Sequence, residues 1–400
     1  MRRISRGWLV HAAAVIGVTL SIGGAALAQT VKIGLISTYS GAMASQGDQI
    51  EKGVNLFMKL NGAKLPSGVK IEIIKRDDTG INPDTAKRLA QELIARENVQ
   101  ILTGVVWTPN AAAIAPLATE AKVPFVIMNA ATSMITTLSP YIVRTSMSLW
   151  QSSYPMGQWA AKKYKKVYVA VSDYGPGHDA QEAFTKAFTA AGGEVIGAVR
   201  MAPTTLEFAP YLQRIKDAKP EAIFVFVPAG KSATSFIKGF GDLGLAQAGI
   251  KLIGTGDMVT DEELPNMGEV PVGVISMFHY SSAGDRSANK AFVNAYQKEN
   301  GPNAWPGFMA VGAWDGMQAI FDVVSAQNGK IDPDKTIALL KTWKNPNSPR
   351  GPIEIDPATR DIVQNEYIRE TRKVGGIVAN VEIETIPIVK DPWKEIHKKQ

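Results

Sequence analysis

Three short segments carry residue types suited to holding a small anion. Trp107-Thr108-Pro109-Asn110 opens an alanine-rich stretch, Asn129-Ala130-Ala131-Thr132-Ser133 follows a short apolar run, and Tyr174-Gly175-Pro176-Gly177-His178 separates a β-branched run from a helical pattern. A helix start leaves backbone N–H groups without partners and carries a partial positive charge, so a carboxylate is favoured there. Thr108, Thr132 and Ser133 add hydroxyls. The same residue types also cap helices, and locally Thr108 and Asn110 fit both roles. Position separates the two, because both threonine-bearing loops are expected on one edge of one sheet.

Other chemistries find less to stand on. Asp77-Asp78 and Asp261-Glu262-Glu263 are adjacent in sequence, as on solvated faces, and the chain has no Gly-x-Ser-x-Gly elbow and no phosphate loop. No nucleophile is paired with a base, so an enzyme is not expected. Gly175, Gly177 and Ala180 fit a dinucleotide fingerprint, but Pro176 removes an N–H that a pyrophosphate would use, and the acidic Glu194 begins the next strand instead of ending it. With no Cys and four scattered histidines (His11, His178, His279, His397), zinc-site spacing is missing. No metal and no cofactor are expected.

The elements that must position these loops begin after a leader. Arg2, Arg3 and Arg6 precede an apolar run that ends Ala26-Leu27-Ala28, the form of a cleaved signal peptide over residues 1–28. Export places the product in the periplasm. Without the leader the chain holds 40 basic and 37 acidic residues, so the basic isoelectric point is no sign of nucleic acid. The only basic tail, 394–399, is expected to be solvated.

From residue 31 onward, short apolar runs alternate with amphipathic stretches, as in a parallel sheet covered on both faces. Strands are expected at 31–36, 69–77, 101–105 and 125–128, with helices at 47–60, 83–97 and 110–121 between and after them. The rhythm pauses at 141–150. It resumes with helices at 151–163, 179–191, 208–216 and 232–243, and strands at 166–172, 194–200, 222–227 and 251–255. Two α/β lobes without a flexible linker imply a cleft, because ligands in such sheets bind beyond the carboxyl ends of the strands.

The exported start, Lys32-Ile33-Gly34-Leu35 leading to Ser40-Gly41, Gly47 to Gly53, Thr108-Pro109, Ala130-Ala131-Thr132 and Asp173-Tyr174-Gly175 occur in an order and spacing that resembles the branched-chain amino acid-binding family of periplasmic ABC transport receptors. The resemblance implies two doubly wound, Rossmann-like α/β lobes joined by three crossovers. Lobe one would hold 29–148 and 279–355, and lobe two 149–278 and 356–400. It implies that a Thr hydroxyl and backbone N–H groups at Thr108, Ala130 and Thr132 hold a ligand carboxylate, and that Tyr174 closes over it from lobe two.

Two departures bear on the ligand. Amino acid binders carry an acid after the strand matched here by 251–255, where this chain has Gly256, with Asp257 one place later; Gln46 replaces a tyrosine in the first loop. An uncompensated ammonium would be costly in a closed cleft. Trp107, Tyr174, Phe278, Tyr280, Trp305 and Phe308 are expected near the cleft, with Phe278 and Trp305 the first candidates for plain packing. Flat aromatic walls suit an aromatic ring. The expected protein is a monomeric receptor for a small aromatic or hydrophobic organic acid that meets an ABC permease of the inner membrane. A branched-chain amino acid or amide, or a sensor feeding a regulator, is the alternative.

Overall fold

A computed structural model describes residues 29–397; the expected signal segment 1–28 lies outside them. The first sheet is wholly parallel. Its order is β2-β1-β3-β4-β5, formed by β1 (Gln29–Ser37), β2 (Val69–Asp77), β3 (Ile101–Gly104), β4 (Phe125–Ile127) and β5 (Ile142–Arg144). Successive residues of β1 face different cores. Ile33 and Leu35 pack with α1 (Ala44–Asn61), whereas Ile36 packs with α2 (Pro83–Ala95) and α3 (Thr108–Glu120). Burial on both faces explains the nearly continuous apolar runs.

The second sheet repeats this plan and extends it. Strands β6 (Lys166–Ser172), β7 (Glu194–Met201), β8 (Ala222–Phe226), β9 (Lys251–Thr255) and β10 (Ile275–Phe278) are parallel, in the order β7-β6-β8-β9-β10. Helices α4 (Leu149–Ala161), α5 (Gly175–Ala190), α6 (Ala209–Ala218) and α7 (Lys231–Asp242) accompany them, and the short α8 (Leu264–Met267) follows β9. Beyond β10 the sheet turns antiparallel, because its next strand belongs to a long hairpin. β13 (Ile362–Val374) pairs with β10 on one side, and β14 (Ile377–Val389) is its hairpin partner. Gly375 and Gly376, at φ of 57° and 88°, make the left-handed turn between them.

The chain crosses between lobes three times. It leaves sheet one after β5 and sheet two after β10. It then lays α9 (Ser287–Asn300), α10 (Phe308–Ala326) and α11 (Pro333–Lys341) on lobe one, where α10 packs along α1 and α11 on β5. The last crossing comes earlier than the Asp356 expected from sequence. β11 (Lys344–Asn345) and β12 (Ile353–Ile355) lie inside the 279–355 segment assigned to lobe one, yet β12 pairs with β13, which makes them the edge of sheet two.

A buried arginine sits at each crossing. Arg350 Nη1 donates to the Ser146 carbonyl (2.8 Å) and to Gln364 Oε1 (2.9 Å), while its Nε meets Asp315 Oδ2 of α10 at 2.8 Å. Arg369 of β13 donates to the Tyr280 carbonyl (2.5 Å) just after β10. Arg144 of β5 donates through Nε to Asp361 Oδ1 (2.8 Å). Lys394, expected in a solvated tail, is buried against the same Asp361 and against Thr136. The helix α12 (Trp393–His397) therefore packs down instead of extending into solvent, and the rest of that expected tail, 398–399, lies outside the described residues.

Candidate functional site

In each sheet the strand order reverses at one place, between β1 and β3 in lobe one and between β6 and β8 in lobe two. Loops diverge there and leave a crevice. At the first reversal, Gly104 and Val105 take left-handed φ values of 91° and 60°, an unusual state for a β-branched residue. Two backbone bonds hold it, Val105 N–H to the Ile36 carbonyl (2.7 Å) and Ala130 N–H to the Val105 carbonyl (3.1 Å). The bend carries Trp107 and Thr108 over the sheet edge. Trp107 Nε1 then donates to Thr38 Oγ1 (3.0 Å), joining the loops after β1 and β3.

Thr108 and Thr132 come together as expected. The Thr132 hydroxyl donates to Thr108 Oγ1 at 3.0 Å, and both residues are buried. Thr108 starts α3, and Pro109 at the following position has no N–H to lose. Asn110 is not a ligand group: its Nδ2 donates to Asp78 Oδ2 (2.8 Å), and its Oδ1 accepts from the Asn82 N–H (3.0 Å). Ala130 departs from the expected role. Its N–H serves Val105, and its carbonyl accepts from Arg144 (3.1 Å), so this residue shapes the loop and presents no free donor.

Lobe two meets this wall directly. Tyr174 sits at the start of α5, with its ring 6.1 Å from that of Trp107 and stacked on Phe226 at 6.0 Å. Burial, with the nearby Asp257 charge, pushes its hydroxyl well above the usual tyrosine range. Gly175 is required by the approach of the lobes, because a Cβ there would lie 2.5 Å from Thr132 Oγ1. Gly177 is required by packing: a Cβ would lie 1.7 Å from the Ser172 carbonyl oxygen, which explains the fingerprint-like spacing without a dinucleotide. Two direct bonds cross the cleft. Ser133 N–H donates to Asp179 Oδ2 (2.7 Å), and Gln46 Nε2 donates to the Ala229 carbonyl (2.7 Å). Gln46 is thus a fastener between lobes.

The floor is built from β9, β10 and β13. A Cβ on Gly256 would meet both Arg369 Nη2 and Phe278 Cγ at 2.3 Å, so glycine is set by packing beneath it. Arg369 lies over the Phe278 ring (5.1 Å), which packs edge-on against Phe308 (4.9 Å). Phe278 is a packing residue, as weighed from sequence. Trp305 lines a separate hollow with Leu264, Pro265 and Ile377. Asp257 is buried with Oδ2 unpartnered, and burial pushes its carboxyl up to about 7 despite the pull of Arg369. Asp179 is pushed to about 7 by burial and by Asp391, against the Ser133 N–H bond. Burial, Arg350 and Arg369 hold His279 well below the usual range, so it is neutral.

The assembled crevice offers neutral hydroxyl donors on one wall, two aromatic rings meeting at a tilt, and protonatable acids on the other wall. Sequence reading missed Asp179, Ala229 and Glu262. Asp179 lies one residue beyond the glycine loop, and only the approach of the lobes gives it a role. Among the described residues no group of acids and histidines is arranged to hold a metal ion.

Known proteins match this arrangement over nearly the whole chain. The family model described as periplasmic binding protein matches residues 30–375. Leu/Ile/Val-binding protein homolog 6 of Brucella melitensis biotype 1 is 43% identical over 372 residues, covering 92% of this chain and 94% of the relative. A solute-binding protein of an ABC transporter from Rhodopseudomonas palustris BisB5, solved with 3,4-dihydroxybenzoic acid, is 49% identical with a TM-score of 0.88, covering 92% of this chain and 99% of that one. A counterpart from Rhodopseudomonas palustris HaA2, solved with p-hydroxybenzoic acid, is 46% identical with a TM-score of 0.88, covering 93% and 100%. The chain belongs to the periplasmic binding protein family, as an extracytoplasmic solute-binding receptor of the ABC importer kind.

Proposed function

We propose that this receptor captures a small aromatic carboxylate, with its carboxylate on Thr108 and Thr132 and its ring against Trp107 and Tyr174. The carrying observation is the paired threonine hydroxyls beside two aromatic rings, one from each lobe, that meet at a tilt of 58° with centroids 6.1 Å apart. Hydroxyl donors stabilise an anion without adding a charge of their own, and the rings offer flat apolar walls. The hydroxybenzoates held by the two Rhodopseudomonas palustris proteins support the same class.

Lobe one captures and lobe two closes, and contacts made only in the closed form, such as Asp179 with Ser133, shift the equilibrium. The moving units are 29–148 with 279–343 and 149–278 with 344–397. The receptor works as a monomer in the periplasm after loss of residues 1–28, delivers its solute to an inner-membrane permease, and turns nothing over. One observation favours a second class: the buried, unpartnered Asp257 would suit an ammonium, in keeping with the name of the Brucella relative.

A thermal-shift screen of residues 29–400 against benzoates, hydroxybenzoates, branched-chain amino acids, aliphatic acids and amides tests the proposal, since a ligand that binds only the folded state raises the melting temperature. A shift with benzoates or hydroxybenzoates supports it. A larger shift with leucine or valine would move the assignment to Asp257 and an amino acid.

A further inference from the structure

The acidic triplet Asp261-Glu262-Glu263 reads from sequence as a solvated face, and the structure places it otherwise. Asp261 and Glu263 are buried. Asp261 accepts from the Ser282 N–H (3.2 Å) and Asn380 Nδ2 (3.1 Å), and Glu263 from Asn266 Nδ2 (3.0 Å) and the Thr234 hydroxyl (3.3 Å). Glu262, between them, reaches across to lobe one. A Cβ on Gly307 would lie 2.0 Å from Glu262 Oε2, so the carboxyl rests against bare backbone where α10 begins.

The lobe-one groups at that point are already committed to one another. Gln49 Oε1 accepts from the Gly307 N–H (3.0 Å) and the Tyr296 hydroxyl (3.2 Å), and Gln49 Nε2 donates to the Trp305 carbonyl (3.3 Å). Glu262 as a residue is half-buried, but its Oε2 is buried without a hydrogen-bond partner. The charges acting on it from its own segment are Asp261 and Glu263, both acidic, with Thr260 the neighbouring hydroxyl. From lobe one, Tyr296 of α9 faces it, and Asp48 of α1 acts on the same tyrosine. An ionised carboxylate there would be buried beside like charges with no counter-ion, which is strongly unfavourable.

We infer that closing the lobes over a solute takes up a proton at Glu262, so that the receptor holds its solute more tightly in more acidic surroundings. This rests on the closing-receptor part of the proposed function and not on which solute is bound. In the closed form, burial foremost and then Asp261 and Glu263 push the carboxyl up to about 8. With the lobes apart, solvent restores the ordinary carboxyl value of about 4.3. Closure therefore costs nothing extra below the open-form value. It weakens as pH rises between the two, by at most about tenfold in affinity per pH unit for this one proton, and levels off above about 8.

The test is titration calorimetry of the mature protein with 4-hydroxybenzoate from pH 5.5 to 8.5, in buffers of different ionisation enthalpy, which counts protons taken up per solute bound. At pH 7, Glu262→Gln should reduce the uptake by close to one proton. It should bind more tightly than the wild type across this range, by roughly tenfold at pH 5.5 and by a gap that widens up to about pH 8. Equal uptake in the two proteins, or an equally steep loss of affinity with pH, would overturn the inference. Glu262→Met, also uncharged, stands in if the glutamine variant does not fold. No heat with 4-hydroxybenzoate would count against the aromatic reading alone, and the proton count is then made with leucine.

Discussion

The two walls of the cleft solve the same task with opposite chemistry. Lobe one presents groups that do not titrate near neutrality, the Thr108 and Thr132 hydroxyls and the Ser133 N–H, fixed by bonds within the lobe. Lobe two presents Tyr174, Asp179, Asp257 and Glu262, and burial pushes all three carboxyls toward the neutral form. A carboxylate solute would be repelled by ionised acids and is tolerated by protonated ones. The lesson is a division of labour. On the proposed reading, lobe one supplies an anion site that works at any physiological pH, and lobe two a lid whose hold depends on protons.

Disturbing each wall separately tests this division. The largest effect is expected from Gly175→Ala, whose Cβ would fall 2.5 Å from Thr132 Oγ1 only when the lobes are together. The overpacking cost of about 1–3 kcal/mol should appear as up to roughly a hundredfold weaker binding, with the melting temperature of the unliganded protein unchanged. Unchanged affinity would mean that the bound lobes do not approach this closely. Thr108→Ala removes a buried hydroxyl from the anion wall, and calorimetry should show a loss of about 1–3 kcal/mol that is the same at pH 6 and pH 8. A pH-dependent loss would erase the contrast between the walls.

Asp179→Asn keeps an acceptor for the Ser133 N–H but cannot take up a proton. Because burial raises this carboxyl to about 7 in the closed form, wild-type closure weakens as pH rises toward that value. The variant should flatten the slope of affinity against pH by up to about tenfold per unit between the ordinary aspartate value of about 3.9 and about 7, with little change below about pH 4. A slope as steep as that of the wild type would place the proton elsewhere. The smallest effect belongs to Gln46→Ala, which removes one cross-lobe bond to the Ala229 carbonyl worth about 0.5–1.5 kcal/mol. Stopped-flow release should show faster solute dissociation with an unchanged association rate.

The strands β1 to β4 and β6 to β9 were legible because burial on two faces leaves runs such as Val169-Ala170-Val171 and Phe224-Val225-Phe226, bounded by turn residues, whereas the short β5 and β10 were not. The hairpin of β13 and β14 was not, since Gln364, Glu366 and Arg369 are polar residues on a buried strand and break the apolar signal. Those polar positions are filled by pairing across the chain, as with Gln364 and Arg350, which no local pattern reports. That the loops bearing Thr108, Thr132 and Tyr174 meet at one cleft was legible from loop chemistry plus resemblance. The reason for Gly256 was not legible: Arg369 and Phe278 leave no room for a side chain where amino acid binders carry an acid. Asp179 and Glu262 were illegible because their partners, Ser133 and Gly307, lie 46 and 45 positions away on the other lobe.

The arginines at the crossings bear on how the molecule comes apart. Arg350 is carried by the segment between β11 and β12, but Asp315, its carboxylate, belongs to a helix of lobe one. Arg144 and Asp361 are divided between the lobes in the same way. Producing either lobe alone would strand a buried charge in each half, which is far more costly than losing the pair as a whole. The two lobes should therefore melt as one calorimetric unit and fail as separately expressed halves. The hinge that lets the receptor open is also the seam that makes it a single cooperative body.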